Sequence, residues 1–308
     1  MTEDFKQILD SYIKAGKAVA SAKKLARKLV KPGATFLEVA EQCENEIAKN
    51  GAELSFPINI SLNEHAAHYS PTIDDQTIIP ENGLLKIDLG AHFNGYIADS
   101  AFTINLDEDP PLQDYIEAAE EGLEAAIEKF VPGTRLYELG EAIAEKILSR
   151  GLKPITNLGG HELQQYNLHA GPFIPNYKDT RHDQVLKPGD AYACEPFSTS
   201  GAGIVINGST SYIYRFVKKN KKNMGYEEQN YMNKIEKICG RLPFSPRILL
   251  SKQIVPKNKI DNTIRKFINK KILDHYPILI ERTGAPVAQQ EHTIVLDMEG
   301  NAIVTTRE

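Results

Sequence analysis

The sequence predicts an α+β fold made of two similar halves that face each other, with a small helical insertion in the second half. Three observations predict it. Helical and extended patterns recur in the same order along the chain. Residues 32–51 repeat at an offset of one hundred, and a basic, proline-punctuated stretch interrupts the second copy.

Residues 3–30 carry Phe5, Ile8, Leu9, Tyr12 and Ile13 at helical spacing, and Lys31-Pro32-Gly33 stops that helix. A second helix over about 36–50 closes at Asn50-Gly51, a pair suited to a left-handed cap. The apolar runs 83–90 and 96–102 flank Phe93-Asn94-Gly95 and read as a β-hairpin. Residues 112–130 then read as an amphipathic helix, Val131-Pro132-Gly133 breaks it, and a helix over about 136–150 ends at Arg150-Gly151. The two copies share Pro32/Pro132, Gly33/Gly133, Glu38/Glu138, Glu41/Glu141, Ile47/Ile147 and Gly51/Gly151. Shared helix grammar gives some such matches, but the surroundings repeat as well. Asn82-Gly83 leads an apolar strand into Asp88, and Pro188-Gly189 leads Ala191-Tyr192-Ala193-Cys194 into Glu195. A period near one hundred is too long for a solenoid and fits a duplication. Acids at matching strand positions would then line a central pocket.

The chain has 308 residues, 41% of them hydrophobic and 25% charged, a length that allows one large domain or two small ones and suffices for a deep core; one domain over 1–308 is the expectation. The first thirty residues hold Lys or Arg every few positions and no apolar core of a signal peptide, and no run of about 18 apolar residues follows. A cytoplasmic protein without membrane association is the expectation. Cys43, Cys194 and Cys239 are too scattered for a disulfide framework or a zinc knuckle. The net charge of −5 is uneven: residues 217–276 hold fifteen Lys/Arg against five Asp/Glu, whereas the remainder holds 21 against 36. Within 217–276, apolar-periodic stretches near 230–239 and 260–273 are separated by Pro243, Pro246 and Pro256, which reads as a small helical lobe.

Asp88 in Ile87-Asp88-Leu89 and Asp99 in Ala98-Asp99-Ser100 sit in apolar strands, and Glu195 and Glu291 have similar settings. A single acid in a strand is most often an exposed edge residue. Four in one core would repel each other by several kcal/mol unless protons or cations relieve them. No matching set of core arginines is visible, so divalent metal is the better answer. His161 follows Gly159-Gly160, where missing side chains let a backbone approach. Alone it would read as structural; with the acids it completes a set of two Asp, two Glu and one His. Such ligation suits Mn²⁺, Fe²⁺ or Co²⁺, admits zinc and excludes thiolate chemistry. Two ions roughly 3.5–4 Å apart would hold a water and clamp a tetrahedral intermediate.

In order and context, Asp88, Asp99, His161, Glu195 and Glu291 resemble the ligand set of the methionine aminopeptidase family, whose fold is called pita-bread. Residues 63–71, Asn63-Glu64-His65-Ala66-Ala67-His68-Tyr69-Ser70-Pro71, resemble the type 2 signature around a substrate-contacting histidine, which falls on His68. Leu168-His169-Ala170-Gly171 resembles a second, falling on His169, and Gln289-Gln290-Glu291-His292-Thr293 resembles the closing metal motif. Gln290 stands where the family usually has Phe, which bears on packing and not on a ligand. The resemblance implies that Asp99 and Glu291 bridge two divalent ions (Co, Mn, Fe or Zn), that Asp88 completes one site, and that His161 and Glu195 complete the other. It further implies that Glu195 shuttles a proton, that His68 and His169 donate to the carbonyl as it becomes an oxyanion, and that Phe56 and Tyr276 wall the methionine pocket. The implied reaction is removal of the initiator methionine from nascent polypeptides by metal-activated hydroxide.

Proline-specific peptidases, Xaa-Pro aminopeptidases and prolidases of the same fold share the five ligands, but usually carry an extra domain before the first aspartate, for which Asp88 leaves no room. Non-catalytic relatives that bind RNA or protein lose ligands, whereas this chain keeps all five. Type 1 methionine enzymes have a short link between the last two glutamates; here Glu195 and Glu291 are 96 residues apart, which fits the type 2 insertion. The absence of an N-terminal polybasic or zinc-binding extension resembles the compact archaeal form. The basic insertion suits salt-sensitive contact with ribosomal RNA phosphate, with no sequence-specific nucleic-acid binding expected.

Overall fold

Two Pro-Gly turns one hundred residues apart set out the architecture, and the computed structural model, which describes residues 3–107 and 110–308, shows both halves built around them. In the first, helix α1 (Glu3–Leu29) and helix α2 (Phe36–Lys49) flank the turn; in the second, α3 (Pro110–Glu128) and α4 (Leu136–Ser149) do so. Gly33 and Gly133 take φ of 87° and 92°, and Gly51 and Gly151 take 75° and 73°. Gly33 N donates to Ile79 O at 2.9 Å and Gly133 N to Leu186 O at 2.8 Å; Phe36 N donates to Thr77 O and Leu136 N to Gln184 O. Isolated bridges join Thr35 to Ile78 and Arg135 to Val185. Such agreement in hydrogen bonding extends well beyond shared helix grammar and supports the duplication.

Each pair of helices covers a sheet. In the first half, Leu84–Phe93 is the central strand, paired along one edge with Tyr96–Asn105 and along the other with Asn59–Leu62 and Glu53–Leu54. The hairpin turn contains two residues, Asn94 and Gly95, with φ of 53° and 85°, so its twist matches that of the strands. The strands run past the predicted limits because ladder pairing continues from Leu84↔Asn105 to Phe93↔Tyr96. α1 lies close on this sheet through a seam of Ala15, Ala18, Ala22 and Ala26. In the second half a five-stranded sheet runs in the order Ala302–Val304, His292–Leu296, Ala191–Cys194, Gly159–Glu162, Phe173–Pro175. The tight hairpin of the first half is here opened: everything between Cys194 and His292 is inserted between two paired strands.

That excursion contains a long antiparallel ribbon, Val205–Phe216 with Leu273–Glu281, which no sequence signal announced. Most of Val205–Phe216 is not buried, so apolar alternation is weak there. The ribbon carries a lobe of helices α5 (Tyr226–Cys239), α6 (Pro246–Ser251) and α7 (Ile260–Asn269) around a core that includes Met232, Ile235, Phe244, Leu249 and Phe267. Leu273–Tyr276, read from sequence as the end of the insertion, already belongs to the returning strand. Among the described residues no helix is long and apolar enough to cross a membrane.

Candidate metal centre

The two halves meet edge to edge at the predicted acids. Asp88 opposes Ala101 and Asp99 opposes Gly90, so the two aspartates are diagonal neighbours on one face of the first sheet. A Cβ at Gly90 would come within 2.0 Å of Phe56 Cε1, so glycine there leaves room for the Phe56 ring beside the aspartates. His161 opposes Ala193 in the second sheet, and a Cβ on Gly160 would come within 2.2 Å of Ala193 O; the glycine permits that approach. Glu195 follows Cys194 and Glu291 precedes His292, and those two neighbours are a ladder pair. The glutamates therefore leave adjacent strands at the same end. Glu291 N donates to Ala101 O at 3.0 Å. Asp99 N donates to Thr293 Oγ1 at 2.7 Å, Thr293 Oγ1 to Asp99 O at 2.8 Å, and Ser100 Oγ to Glu291 O at 2.6 Å. These bonds lock the seam on which the ligands stand.

Ligand atoms of Asp99, His161 and Glu291 all lie within 4.8 Å of one another. His161 Nε2 is 3.7 Å from Asp99 Oδ2 and 3.8 Å from Glu195 Oε1. Asp99 and Glu291 are 4% and 2% exposed, whereas Asp88 and Glu195 are half-buried, because they face a pocket and not the packed seam. Burial raises Asp88 to about 7. Burial, then the charges of Asp88 and Glu195, push Asp99 well up; Glu195 and Glu291 rise for similar reasons. Burial, then His169, drives His161 down. No group in the cluster supplies a compensating positive charge. Asp88 Oδ1 and Asp99 Oδ1 are buried without a hydrogen-bond partner. Oxygen-rich donors, unsatisfied carboxylate oxygens and a neutral imidazole are what divalent cations require. The residues fit the ions that the sequence implies.

The pocket over the cluster has a volume of about 210 Å³, and Phe56, Leu168, Phe173, Ile213, Tyr276 and Leu279 give it an apolar wall. That is below the ~300 Å³ of a typical small-molecule site and suits one side chain with its peptide bond. His68, at φ 70°, and His169 line it as well. Burial lowers His68, and it takes His169 to about 4, helped by His68 and Arg215; His169 is nonetheless solvent-accessible, since it faces the open pocket. His68 Nδ1 lies 3.0 Å from Pro277 O. A carbonyl can only accept, so Nδ1 carries the proton and the neutral ring keeps Nε2 as an acceptor. This geometry is at odds with the oxyanion-donor role implied for His68. His169 has no such constraint; its ring stacks at a tilt, 4.4 Å from that of His161.

Several supporting residues escaped the sequence reading. Asn59 Nδ2 donates to Asp88 Oδ2 at 3.3 Å, and Gln289 Nε2 to Glu195 Oε2 at 3.2 Å. Lys86 is fully buried, bonds Asn63 O and Val287 O at 2.8 Å each, and is pushed down to about 7 by burial. Lys23 reaches Ser100 Oγ at 3.0 Å from behind the seam. Gln289 opens the closing motif and Lys86 sits within the apolar run 83–90, which were the available signals; Lys23, in a lysine-rich helix, looks like a surface residue in sequence. Gln290 is half-buried and donates its backbone N–H to Pro196 O, leaving the Glu291–Ala101 bond intact.

Comparison with known proteins bears on what such a centre belongs to. Residues 10–233 match metallopeptidase family M24. The methionine aminopeptidase of Pyrococcus horikoshii is 40% identical over 297 residues, covering 96% of this chain and 99% of that protein. That of Saccharolobus solfataricus is 40% identical over 306 residues, covering 99% of each. Among solved structures, a thermophilic Arx1 superposes with a TM-score of 0.84 at 17% identity, covering 99% of this chain and 91% of that one. The Thermotoga maritima methionine aminopeptidase gives 0.71 at 23% identity, covering 100% and 98%. The structural likenesses establish the shared fold, and the near full-length identities go further: the chain belongs to the methionine aminopeptidases of metallopeptidase family M24.

Proposed function

We propose that this aminopeptidase removes the N-terminal methionine of newly made polypeptides, with Asp88, Asp99, His161, Glu195 and Glu291 holding two divalent ions at the floor of the pocket. The observation that carries the reading is the convergence of two Asp, one His and two Glu from both halves beneath one apolar-walled pocket. Asp99 and Glu291, the most buried of the five, would contribute to both ions, Asp88 would complete one site, and His161 and Glu195 would complete the other. When bound, such ions supply Lewis acidity to the scissile carbonyl and make water acidic enough to ionise near neutral pH.

The remaining roles belong to the chain's own side chains. Glu195, oriented by Gln289 and with its pKa raised by burial, takes a proton from water and returns it to the leaving amine. His169 donates to the carbonyl oxygen as negative charge develops. His68, with Nε2 as acceptor, takes a hydrogen bond from a substrate N–H and orients the scissile amide. Phe56 and Tyr276 hold the methionine side chain. The long excursion between Glu195 and Glu291 supports a type 2 enzyme, a single catalytic domain over 1–308 with the 217–276 insertion within it. The substrate places this work in the cytoplasm, where the insertion's surplus of positive charge suits docking on ribosomal RNA.

The test is turnover of a Met-Ala-Ser peptide by protein purified without added metal, alongside metal analysis. Cleavage lost on chelation and restored by Co²⁺, Mn²⁺, Fe²⁺ or Zn²⁺ is the expected result. Cleavage of Xaa-Pro peptides with Met-Ala-Ser left intact would instead favour a proline-specific enzyme.

A further inference from the structure

The lobe hangs from the body on the ribbon Val205–Phe216/Leu273–Glu281, whose register shifts between Asn207 and Ser211 and again between Ser211 and Ile213. Such irregular pairing disrupts the ladder locally and bends the ribbon between the body and the lobe. Between the lobe and α2 runs a cleft of about 690 Å³. Arg247 spans it. Its Nη1 and Nη2 donate to the two carboxylate oxygens of Glu44 on α2 at 2.6 and 2.7 Å, and its Nε donates to Pro71 O at 2.9 Å. Glu44 Oε1 also accepts from Ile58 N at 3.4 Å. The Lys257–Asp74 pair at the rim is exposed on both sides and adds little.

Four residues before Arg247, Pro243 lines both the cleft and the substrate pocket, so this short segment is the partition between them. It is stiff. Pro243 and Pro246 fix their own φ, and Phe244 exchanges both backbone hydrogen bonds with Tyr214, at 2.7 and 2.9 Å. Tyr214 in turn follows Ile213, another pocket residue. Pro71, which Arg247 also grips, lies three residues after His68.

We propose that Glu44 and Arg247 are a positioning pair for substrate selection: by docking the lobe on α2 they hold Pro243 as a wall of the methionine pocket. This rests on the reading that the pocket binds the methionine side chain. A purely structural pair would alter stability and leave selection untouched.

Two variants separate these cases. Glu44→Leu combined with Arg247→Met removes both charges at once, which avoids stranding one of them in a buried site. Arg247→Lys keeps the charge and loses the planar fork. KM and kcat are measured on Met-Ala-Ser and Leu-Ala-Ser, together with amide hydrogen exchange at Phe244. In the folded double variant KM for Met-Ala-Ser should rise roughly ten-fold and the Met-over-Leu preference fall by a similar factor, the scale of a poorly fitted apolar pocket. The kcat should stay within about two-fold, and Phe244 exchange should quicken, with Arg247→Lys intermediate. Parental KM, preference and Phe244 exchange in a folded variant would overturn the proposal. A parent protein that cleaves neither peptide overturns the methionine reading of the pocket, and Phe244 exchange then still decides whether the pair holds the wall.

Discussion

Asp99 concentrates the electrostatics of the site: it is buried on the seam, its Oδ1 has no partner, and its backbone is held at both N and O by Thr293. Asp99→Asn keeps the shape and removes the charge, so metal content and turnover should fall together. The loss of activity should be at least roughly a hundred-fold, since changes even behind a ligand shell cost 10–100-fold. The fold should persist, because an amide relieves the repulsion that raises the neighbouring carboxyls. A variant keeping a tenth of parental turnover with unchanged bound metal would remove Asp99 from the bridging position. His68→Ala tests a different atom: with Nε2 orienting a substrate amide, kcat should drop by roughly 10²-fold, the scale of a misplaced reacting group, and KM change less. Equal losses at every pH, with no change on raising peptide concentration, would agree; a pure KM effect would not. Behind the seam, Lys23 makes a prediction in pH. Burial lowers its pKa from 10.5 to about 8, so at pH 7 the folded state carries a charge it disfavours by about 3 kcal/mol. That cost disappears as pH rises from about 8 to 10.5, because the folded state then loses its proton before the unfolded one does. The thermal midpoint of the parent should therefore rise relative to Lys23→Met across that window; parallel curves would show the ammonium to be fully compensated. The acids were legible in the sequence because charge in an apolar strand is conspicuous. Lys23 was not, since a lysine in a lysine-rich helix reads as surface until the chain brings a hydroxyl to its tip; Lys86 stands in the same apolar run as Asp88, but its partners, Asn63 O and Val287 O, lie 23 and 201 residues away. The tautomer of His68 depends on Pro277, 209 residues away, and no local pattern encodes that.

At the scale of elements, the repeated turn is the most informative feature. Gly33 and Gly133 hold φ near +90°, and a Cβ at either would meet nothing within 4 Å. Substitution by alanine is thus penalised by backbone conformation alone, about 1–2 kcal/mol at each site. Gly33→Ala and Gly133→Ala should lower stability equally and additively, by a few degrees each, without changing turnover. Chemical denaturation of the two single variants and the double variant checks this; a cost at one turn and none at the other would mean the turns are not equivalent. The same Pro-Gly pairs made both helix pairs legible, because punctuation by proline and glycine is local. The hairpin 84–105 was legible through Asn94-Gly95 for the same reason. Its counterpart in the second half was not. There the equivalent strands, Ala191–Cys194 and His292–Leu296, are separated by the whole excursion, and Val205–Phe216 has too little buried surface to mark a strand. Sequence showed acids at matching positions; only pairing across the seam shows that Glu195 and Glu291 leave neighbouring strands.

Over the whole molecule, charge is segregated: the excursion of residues 217–276 carries fifteen Lys/Arg against five Asp/Glu, and the rest carries 21 against 36. The structure divides the basic residues further. Lys219 pairs with Glu236, Lys259 with Glu227, Lys266 with Glu228 and Arg247 with Glu44, so these are partly neutralised on the protein itself. Lys218, Lys221 and Lys222 are exposed and form no ion pair among the described residues, and Tyr226, 90% exposed, follows them at the start of α5. A solvated lysine face has no further consequence, whereas a docking face does. An acidic body is repelled by a phosphate-rich surface, so a lobe of opposite sign orients the approach and attracts at each phosphate it neutralises. If the lobe docks on ribosomes, binding should fall steeply between about 50 and 200 mM salt. Changing Lys218, Lys219, Lys221 and Lys222 to Glu should weaken that binding while Met-Ala-Ser turnover stays at the parental level, because none of the four lines the substrate pocket. Co-sedimentation with purified ribosomes across a salt series measures both expectations. Binding that is absent at low salt, or indifferent to the four substitutions, would leave these lysines as a solvated face.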